Sequence, residues 1–437
     1  MTAHSVHAPP IASESTSSRW IERGLLVAAG LFLLVNTLAL TLVRQQPFPD
    51  GWAHFGIWVL CAVLGSAFLN RTLPRRDPLL FPLAMFMSGW GLVLIHRLAP
   101  AFADRQMLWL AISTAALIAA AGLPGLLRLM RHYRYTILVF GLALLVFTIL
   151  LGTNPSGQAG APALWLGLGS LYFQPSEALK IILVAFLASY LAEQYPALRA
   201  EGHEIGARRL PLTPRIFGPI LLMWGLSVVV LVWQRDLGTA VLFFFVFMML
   251  LYVASGYRRL LIAGSLLIVI AALAAYNLFD VVRLRVDIWL YPWAEADGRA
   301  YQIVQSLMAF ASGGVFGQGI GQGSATYIPV VHSDFIFAAL AEEWGLLGVI
   351  ATLAAIAAFV ARGMRIAILQ NGRPFHTLLT VGLATLYATQ CLLIIGGVLK
   401  LIPLTGVTLP FFSYGGSSLL VNFVMVGLLL RLSAGEH

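Results

Sequence analysis

An all-α, polytopic transmembrane helix bundle is the fold class that this sequence predicts, and three observations predict it. The first is composition. Of 437 residues, 59% are hydrophobic and 10% charged, with a mean hydropathy of +0.87, whereas a soluble domain carries about 25% charged residues. The second is a set of twelve apolar runs, at 24–43, 53–69, 79–96, 107–123, 136–152, 178–194, 216–233, 238–256, 260–279, 335–361, 376–400 and 409–431. Each is near the ~20 residues that a helix needs to cross a hydrocarbon core. The third is the placement of arginine, which divides the connections between runs into a strongly basic set and a weakly basic one.

Taken in order, residues 1–23 begin polar and Ser-rich, with no basic n-region leading into a short apolar stretch and a cleavage site. They read as a disordered cytoplasmic tail and not as a signal peptide. Residues 24–76 hold the first two runs and residues 77–437 the other ten. With the N-terminus assigned to the cytoplasm, the inner connections hold 18 arginines, among them Arg71, Arg75, Arg128, Arg258 and Arg362. The outer ones hold 8 basic residues, including Arg44, Arg97, Arg105, Arg235, Arg285 and Lys400. The positive-inside rule then places both termini in the cytoplasm and the 280–334 connection outside the plasma membrane. The +9 balance is almost wholly arginine between apolar runs, so it gives no nucleic-acid signal. Cys61 and Cys391 lie within apolar runs and imply no disulfide framework.

The 280–334 connection is longer than ordinary loops, which marks it as functional or disordered. Its Trp289, Tyr291, Trp293, Tyr301 and Tyr327 suit a segment that hugs the membrane interface. Its glycine run, Gly313 to Gly323, permits close backbone approach to a ligand. It is no nucleotide motif, since no strand precedes it and no Gly-Lys-Ser/Thr follows. No metal-ligand spacing occurs in the chain.

Polar groups at membrane depth supply the remaining candidates. Glu177 and Lys180 are three apart and share a helix face. They read as a self-neutralising ion pair, or as a pair whose lysine also meets an anionic headgroup. Arg235 and Asp236, in a very short outer turn, form a satisfied pair or line a groove. In the stretch 409–418, Ser413, Tyr414, Gly415 and Gly416 serve close helix packing or mark a re-entrant, ligand-facing break. The stretch that organises the rest is 327–348. Ser333 and Asp334 are both good N-cap residues, so a helix is expected to begin there. Glu342 and Glu343 follow inside the apolar run, where charge is expensive and usually functional. At 1.5 Å per residue, Glu342 lies about 12 Å beyond Asp334. His332 alone reads as an interfacial histidine. On Asp334 three arguments converge: an external position, a helix start and a long polar approach loop. It reads as a catalytic or ion-coupling carboxylate.

Together these stretches resemble the SEDS family (shape, elongation, division and sporulation), the RodA/FtsW/SpoVE proteins. The resemblance is carried by Gln174-Pro-Ser-Glu-x-x-Lys180, Asp236-Leu-Gly-Thr239, Tyr301-Gln-x-x-Gln-Ser-Leu-Met-Ala-Phe310 and His332-Ser-Asp-Phe-Ile-Phe-Ala338 with Glu342-Glu343. Pro403-Leu-Thr-Gly-x-Thr-Leu-Pro410 with Ser413-Tyr-Gly-Gly-Ser-Ser418 completes it. The sequence departs from the family at Arg235, Leu164 and Thr405, where a proline, an arginine and, in division-type members, a lysine are usual. The resemblance implies a ten-span core with two additional N-terminal helices. It implies a peptidoglycan glycosyltransferase that polymerises lipid II in elongation or division and works with a class B penicillin-binding protein. It also implies that Asp334 is essential.

The reaction so implied is attack of a sugar hydroxyl on the anomeric carbon of a lipid-linked sugar, with pyrophosphate leaving. It asks for a carboxylate base, assigned to Asp334, and for cationic stabilisation of the diphosphate. Arg285, Lys180 and Arg235 are the candidates for the second role, with Mg or Mn as a divalent cation that could share it; no nucleotide site is needed, because the donor is already activated. Gln302, Gln305 and Ser306 on the Tyr301–Phe310 helix, with the glycine run, would form one wall of the groove. The competing expectation is a lipid II flippase or other secondary transporter, with Glu342, Glu343 and Lys180 as coupling groups.

Overall fold

A computed structural model describes residues 12–44, 51–154, 164–168, 171–204, 225, 236–370 and 372–435. Among them run fourteen α-helices. In chain order these are α1 (Ala12–Arg44), α2 (Trp52–Thr72), α3 (Leu80–Leu98), α4 (Pro100–Gly122), α5 (Leu126–His132), α6 (Arg134–Leu151) and α7 (Pro175–Glu204). After these come α8 (Leu237–Ser255), α9 (Arg258–Leu278), α10 (Asp280–Leu290), α11 (Tyr301–Gly313), α12 (Ile336–Leu369), α13 (Pro374–Val398) and α14 (Gly416–Ala434). Eleven of them are long and apolar enough to cross a membrane, and the protein is a multi-pass membrane protein. The expected run at 216–233 lies outside the described residues, as does Arg235.

Apolar periodicity makes these segments helical, and proline sets several starts. Pro100 and Pro374 occupy the first turns of α4 and α13, where the missing N–H has no intrahelical partner to lose. Burial sorts the helices into layers. In α7, 89% of the most apolar window is buried, against 6% in α9, so α7 is interior and α9 faces lipid. With α7, the helices α3, α13 and α14 form the packed centre.

Two local expectations are corrected. The last helix begins at Gly416 and not at 409, so 399–415 is irregular backbone between the last two spans. The helix expected at Ser333 or Asp334 begins at Ile336, with Phe335 as N-cap and no capping side chain. Asp334 stands outside the helix, and its carboxylate accepts from the Ser333 hydroxyl and not from a helical N–H. The connection before α7 also carries a small antiparallel hairpin, β1 (Leu166–Leu168) with β2 (Leu171–Phe173), pairing Leu166 with Phe173.

Contacts between elements distant in sequence collect on two opposite faces. One face joins Arg76 to Glu22, Arg362 to Asp77, Arg134 to Glu193, and Arg431 to the Ala121 carbonyl. The other joins Arg44 to the His96 carbonyl, Gln106 to Ser413, Gln174 to Ser417, and Arg285 to Thr405. The first face holds arginines assigned to the inner connections. On the second stands the segment 332–334.

Candidate active site

Four pieces of chain converge on Asp334. The segment 332–334 is stitched to the irregular 409–415 turn: the Tyr414 N–H donates to the His332 carbonyl at 2.8 Å. The Ser413 hydroxyl donates to the Ser333 carbonyl at 2.6 Å. That turn is in turn held by α4, whose Gln106 amide donates to the Ser413 carbonyl and whose side-chain oxygen accepts from the Gly415 N–H. Phe102, also on α4, stacks on the His332 ring at 4.7 Å and touches Tyr414 at 4.8 Å. From the far side α10 lies across the 399–405 segment, with Arg285 donating to the Leu404 and Thr405 carbonyls. Trp289 of the same helix donates to the Lys400 carbonyl.

The Asp334 carboxylate accepts from Ser333 Oγ at 2.9 Å. Burial pushes its carboxyl above the usual aspartate range, while the Ser333 hydrogen bond and the Arg285 charge pull against that rise. Burial holds His332 below the usual histidine range, so its ring is neutral at neutral pH. The Tyr414 phenol is raised by burial, opposed by the Arg105 guanidinium beside it. The Arg285 charge thus bears on Asp334, and that of Arg105 on Tyr414. The left-handed backbone also gathers here. The non-glycine residues with positive φ among those described are Val330 (57°), Lys400 (59°) and Phe411 (68°). For a β-branched residue such as Val330 this is strained, at about 1–3 kcal/mol, and such strain collects at functional sites.

Other candidates take up framework positions. Lys180 is 2% exposed and donates to Glu177 at 2.7 Å and to the Gln390 side chain at 3.2 Å. Gln390 in turn donates to the Thr408 carbonyl. This is the ion-pair reading, and a diphosphate contact would require the pair to open. Asp236 caps α8, accepting from the Thr239 N–H and hydroxyl. Ser306 is fully buried and bonds its own helix at Ile303. Gln302 donates to the Pro329 carbonyl and so ties α11 to the approach to His332; Gln305 is half-buried one turn further on. Gly416 is a packing glycine, since a Cβ there would collide with the Trp109 ring.

Glu342 and Glu343 hold the glycine run. Glu342 accepts from the Ser324 N–H at 2.9 Å and the Ser312 hydroxyl at 3.2 Å. Glu343 accepts from the Gly321 N–H at 3.1 Å and pairs with Arg97 at 3.0 Å. Just beyond them α12 breaks at Gly345 (φ 63°, ψ −161°), and the freed carbonyls of Glu342 and Glu343 accept from Gln318 and Gly319. Sequence reasoning missed Gln106, Phe102, Arg105, Arg97 and Gln390. A glutamine within an apolar run, as at 390, was the available signal, whereas Gln106 lies just before the run at 107–123. A cleft lined by His54 and His96 between α1, α2 and α3 lies away from Asp334. Among the described residues, no three His, Cys, Asp or Glu side chains gather as a metal site.

The family model for FtsW/RodA/SpoVE, described as cell cycle proteins, matches residues 79–437. A curated relative named peptidoglycan glycosyltransferase RodA, from Mycobacterium tuberculosis (strain ATCC 25618 / H37Rv), is 38% identical over 422 residues, covering 93% of this chain and 89% of its own. One named probable peptidoglycan glycosyltransferase FtsW, from Geobacter metallireducens, is 30% identical over 376 residues, 83% of this chain and 96% of its own. Among solved structures, a chain of a peptidoglycan synthase complex described as coordinating polymerization and crosslinking matches with a TM-score of 0.68. Its identity is 27%, over 82% of this chain and 97% of that one. The crystal structure of the Thermus thermophilus rod shape determining protein RodA matches with a TM-score of 0.58 at 26% identity, over 82% of this chain and 96% of that one.

Proposed function

Because the chain belongs to the FtsW/RodA/SpoVE family, it is a peptidoglycan glycosyltransferase, and we propose that Asp334 is its catalytic base, acting on lipid II at the outer face of the plasma membrane. The observation that carries this reading is the setting of Asp334. Its carboxylate is oriented by the Ser333 hydroxyl, raised in basicity by burial, and flanked by the Arg285 charge. A carboxylate so placed takes the proton of the acceptor sugar's 4-hydroxyl as that oxygen bonds to the donor's anomeric carbon. The bond to the diphosphate breaks, and the leaving oxygens carry the charge. Arg285, whose charge bears on Asp334, is the diphosphate partner in this reading, with Arg105 beside Tyr414 as a second. The neutral His332 ring, clamped by Phe102 and Tyr414, positions the segment and adds no charge.

A divalent cation such as Mg or Mn, bound through the diphosphate, would need only one or two carboxylates from the protein, and Asp334 would supply one. The partner is inferred to be a class B penicillin-binding protein, supported by the likeness to a complex that couples polymerization to crosslinking. Identity is higher to relatives named RodA than to those named FtsW, which supports a role in elongation and cell shape. The carboxylates that a transporter would use for coupling are instead bound to Ser312, Ser324, Gly321 and Arg97.

The test is polymer formation from lipid II by purified Asp334→Asn, supplied with the partner. Loss of a general base costs about 10²–10⁴-fold in rate, so the variant should bind lipid II and build almost no polymer. Polymerisation near the wild-type rate would remove Asp334 from the chemistry. A wild type that makes no polymer yet moves lipid II across vesicles would establish transport instead.

A further inference from the structure

The family model begins at residue 79, so α1 and α2 lie outside the range it matches, while the mycobacterial relative extends beyond it over 93% of this chain. One face of α1 nevertheless reaches the glycine run. Asn36, Leu40, Val43 and Arg44 are spaced by four, three and one, which puts them on a single helical stripe. Each meets part of one structure. The Asn36 side-chain oxygen accepts from Trp344 Nε1 at 3.2 Å, one residue before the break at Gly345. Leu40 and Val43 flank Gly321, where an added Cβ would come within 3.3 Å of either side chain. Arg44 donates to the His96 and Arg97 carbonyls at the end of α3. Arg97 then donates to the Gly321 and Gly323 carbonyls at 3.2 and 2.8 Å.

Asn36 is 3% exposed, and a buried polar side chain at membrane depth is costly unless it has such a partner. Apolar residues at all four positions would serve a helix that only fills space against lipid. Asn36 and Arg44 instead address the two ends of the loop's anchorage.

We propose that this face of α1 is a positioning element for the 313–323 loop and the Gly345 break, with Asn36, Leu40 and Arg44 as positioning residues. Through that loop α1 governs the approach of the chain from α11 to Asp334. The functional consequence rests on Asp334 being the catalytic site; the structural one does not.

The experiment uses the full-length protein in nanodiscs, comparing Asn36→Leu, Arg44→Gln, the double variant and the conservative Asn36→Gln. Hydrogen exchange is read at the amides of Gln318, Gly319, Gly321 and Ser324, all of which donate to Glu342 or Glu343. Losing the brace should speed their exchange about tenfold or more in the double variant, with α13 amides still protected. Asn36→Gln should exchange closer to wild type than Asn36→Leu. Lipid II titrations should show KM rising more than kcat falls, because the groove wall and not the base is disturbed. Unchanged loop exchange in a folded double variant overturns the proposal. So does a uniform rise across the loop and α13, which would make α1 a source of bulk stability only. If the double variant does not fold, Leu40→Ala and Arg44→Gln alone must show the same selective rise. A selective rise in exchange beside a wild type that makes no polymer would keep the brace and discard the catalytic reading.

Discussion

A carboxylate that must accept a proton near neutral pH has to sit where its charged form is disfavoured, and burial does this to Asp334 against the pull of Ser333 and Arg285. The sign follows for stability. A carboxyl whose folded pKa is raised stabilises the fold most when protonated, below the ordinary aspartate value of about 4. That contribution is lost as pH rises through the raised pKa. Asp334→Asn mimics the protonated form and keeps an oxygen for the Ser333 hydroxyl. Its melting temperature should therefore equal or exceed that of wild type at pH 7 to 8, with the gain vanishing toward pH 4. A clear loss of stability at pH 7 would mean that the charged carboxylate is doing structural work. Catalysis should show the mirror image, with kcat/KM rising with pH on an acidic limb above about 4. Arg285 holds the carboxyl down, so Arg285→Gln should shift that limb to higher pH as well as slow the reaction. A limb that stays put or moves down would separate Arg285 from Asp334.

At the scale of elements, the long helices were legible from apolar runs because a spanning helix needs little beyond length and hydrophobicity. Their irregular ends were not. The 409–415 turn is apolar enough to pass for helix, and only its contacts with Gln106 and Ser333 from distant elements hold it open. Ser333 and Asp334 likewise look like caps, but the long-range hydrogen bonds of this segment tie its backbone to the 413–414 turn, and the helix starts two residues later. Asp334 could be singled out from its neighbourhood in sequence, whereas Phe102, Gln106 and Arg105 arrive from a helix more than two hundred residues away. The α12 break was equally hidden, because one glycine in an apolar run predicts nothing by itself. In the structure Gly345 occupies a region of φ and ψ essentially open only to glycine, and a Cβ would collide with the Gly317 backbone. Gly345→Ala should destabilise the protein by at least about 1–3 kcal/mol from backbone strain alone, measured by unfolding in detergent. A wild-type-like midpoint would mean that the break is dispensable. For the buried Glu177–Lys180 pair, removing one partner should cost about 3–5 kcal/mol. The Glu177→Gln/Lys180→Met double variant should recover most of that stability, and with it the activity. A stable but inactive double variant would restore Lys180 to the diphosphate.

The whole molecule must present Asp334 to the side where peptidoglycan is built, and this depends on an even alternation of spans. The described helices keep to such an alternation: α1, α3, α6, α9 and α13 end on the Asp334 face, while α2, α4, α12 and α14 end on the opposite one. On that face α7 carries Glu193 toward Arg134, yet α8 starts where Gly238 meets the Thr405 carbonyl on the other. The expected run at 216–233 falls between these two helices, outside the described residues. In the proposed orientation the cytoplasmic face is the one away from Asp334, toward which Arg71, Arg75, Arg128, Arg258, Arg259 and Arg362 lie in or near the helix ends. Single cysteines therefore make a direct test in a variant with Cys61 and Cys391 replaced. Placed at Asp297 or Gln322, both exposed, a cysteine should react in intact cells with a maleimide that cannot cross the membrane. Placed at Thr72 or Arg259, also exposed, it should react only after the cells are opened. Reaction at Thr72 from outside would invert the molecule, put Asp334 in the cytoplasm and leave an outer-face polymerase without its base. Reaction at Thr72 and Gln322 alike would break the alternation itself.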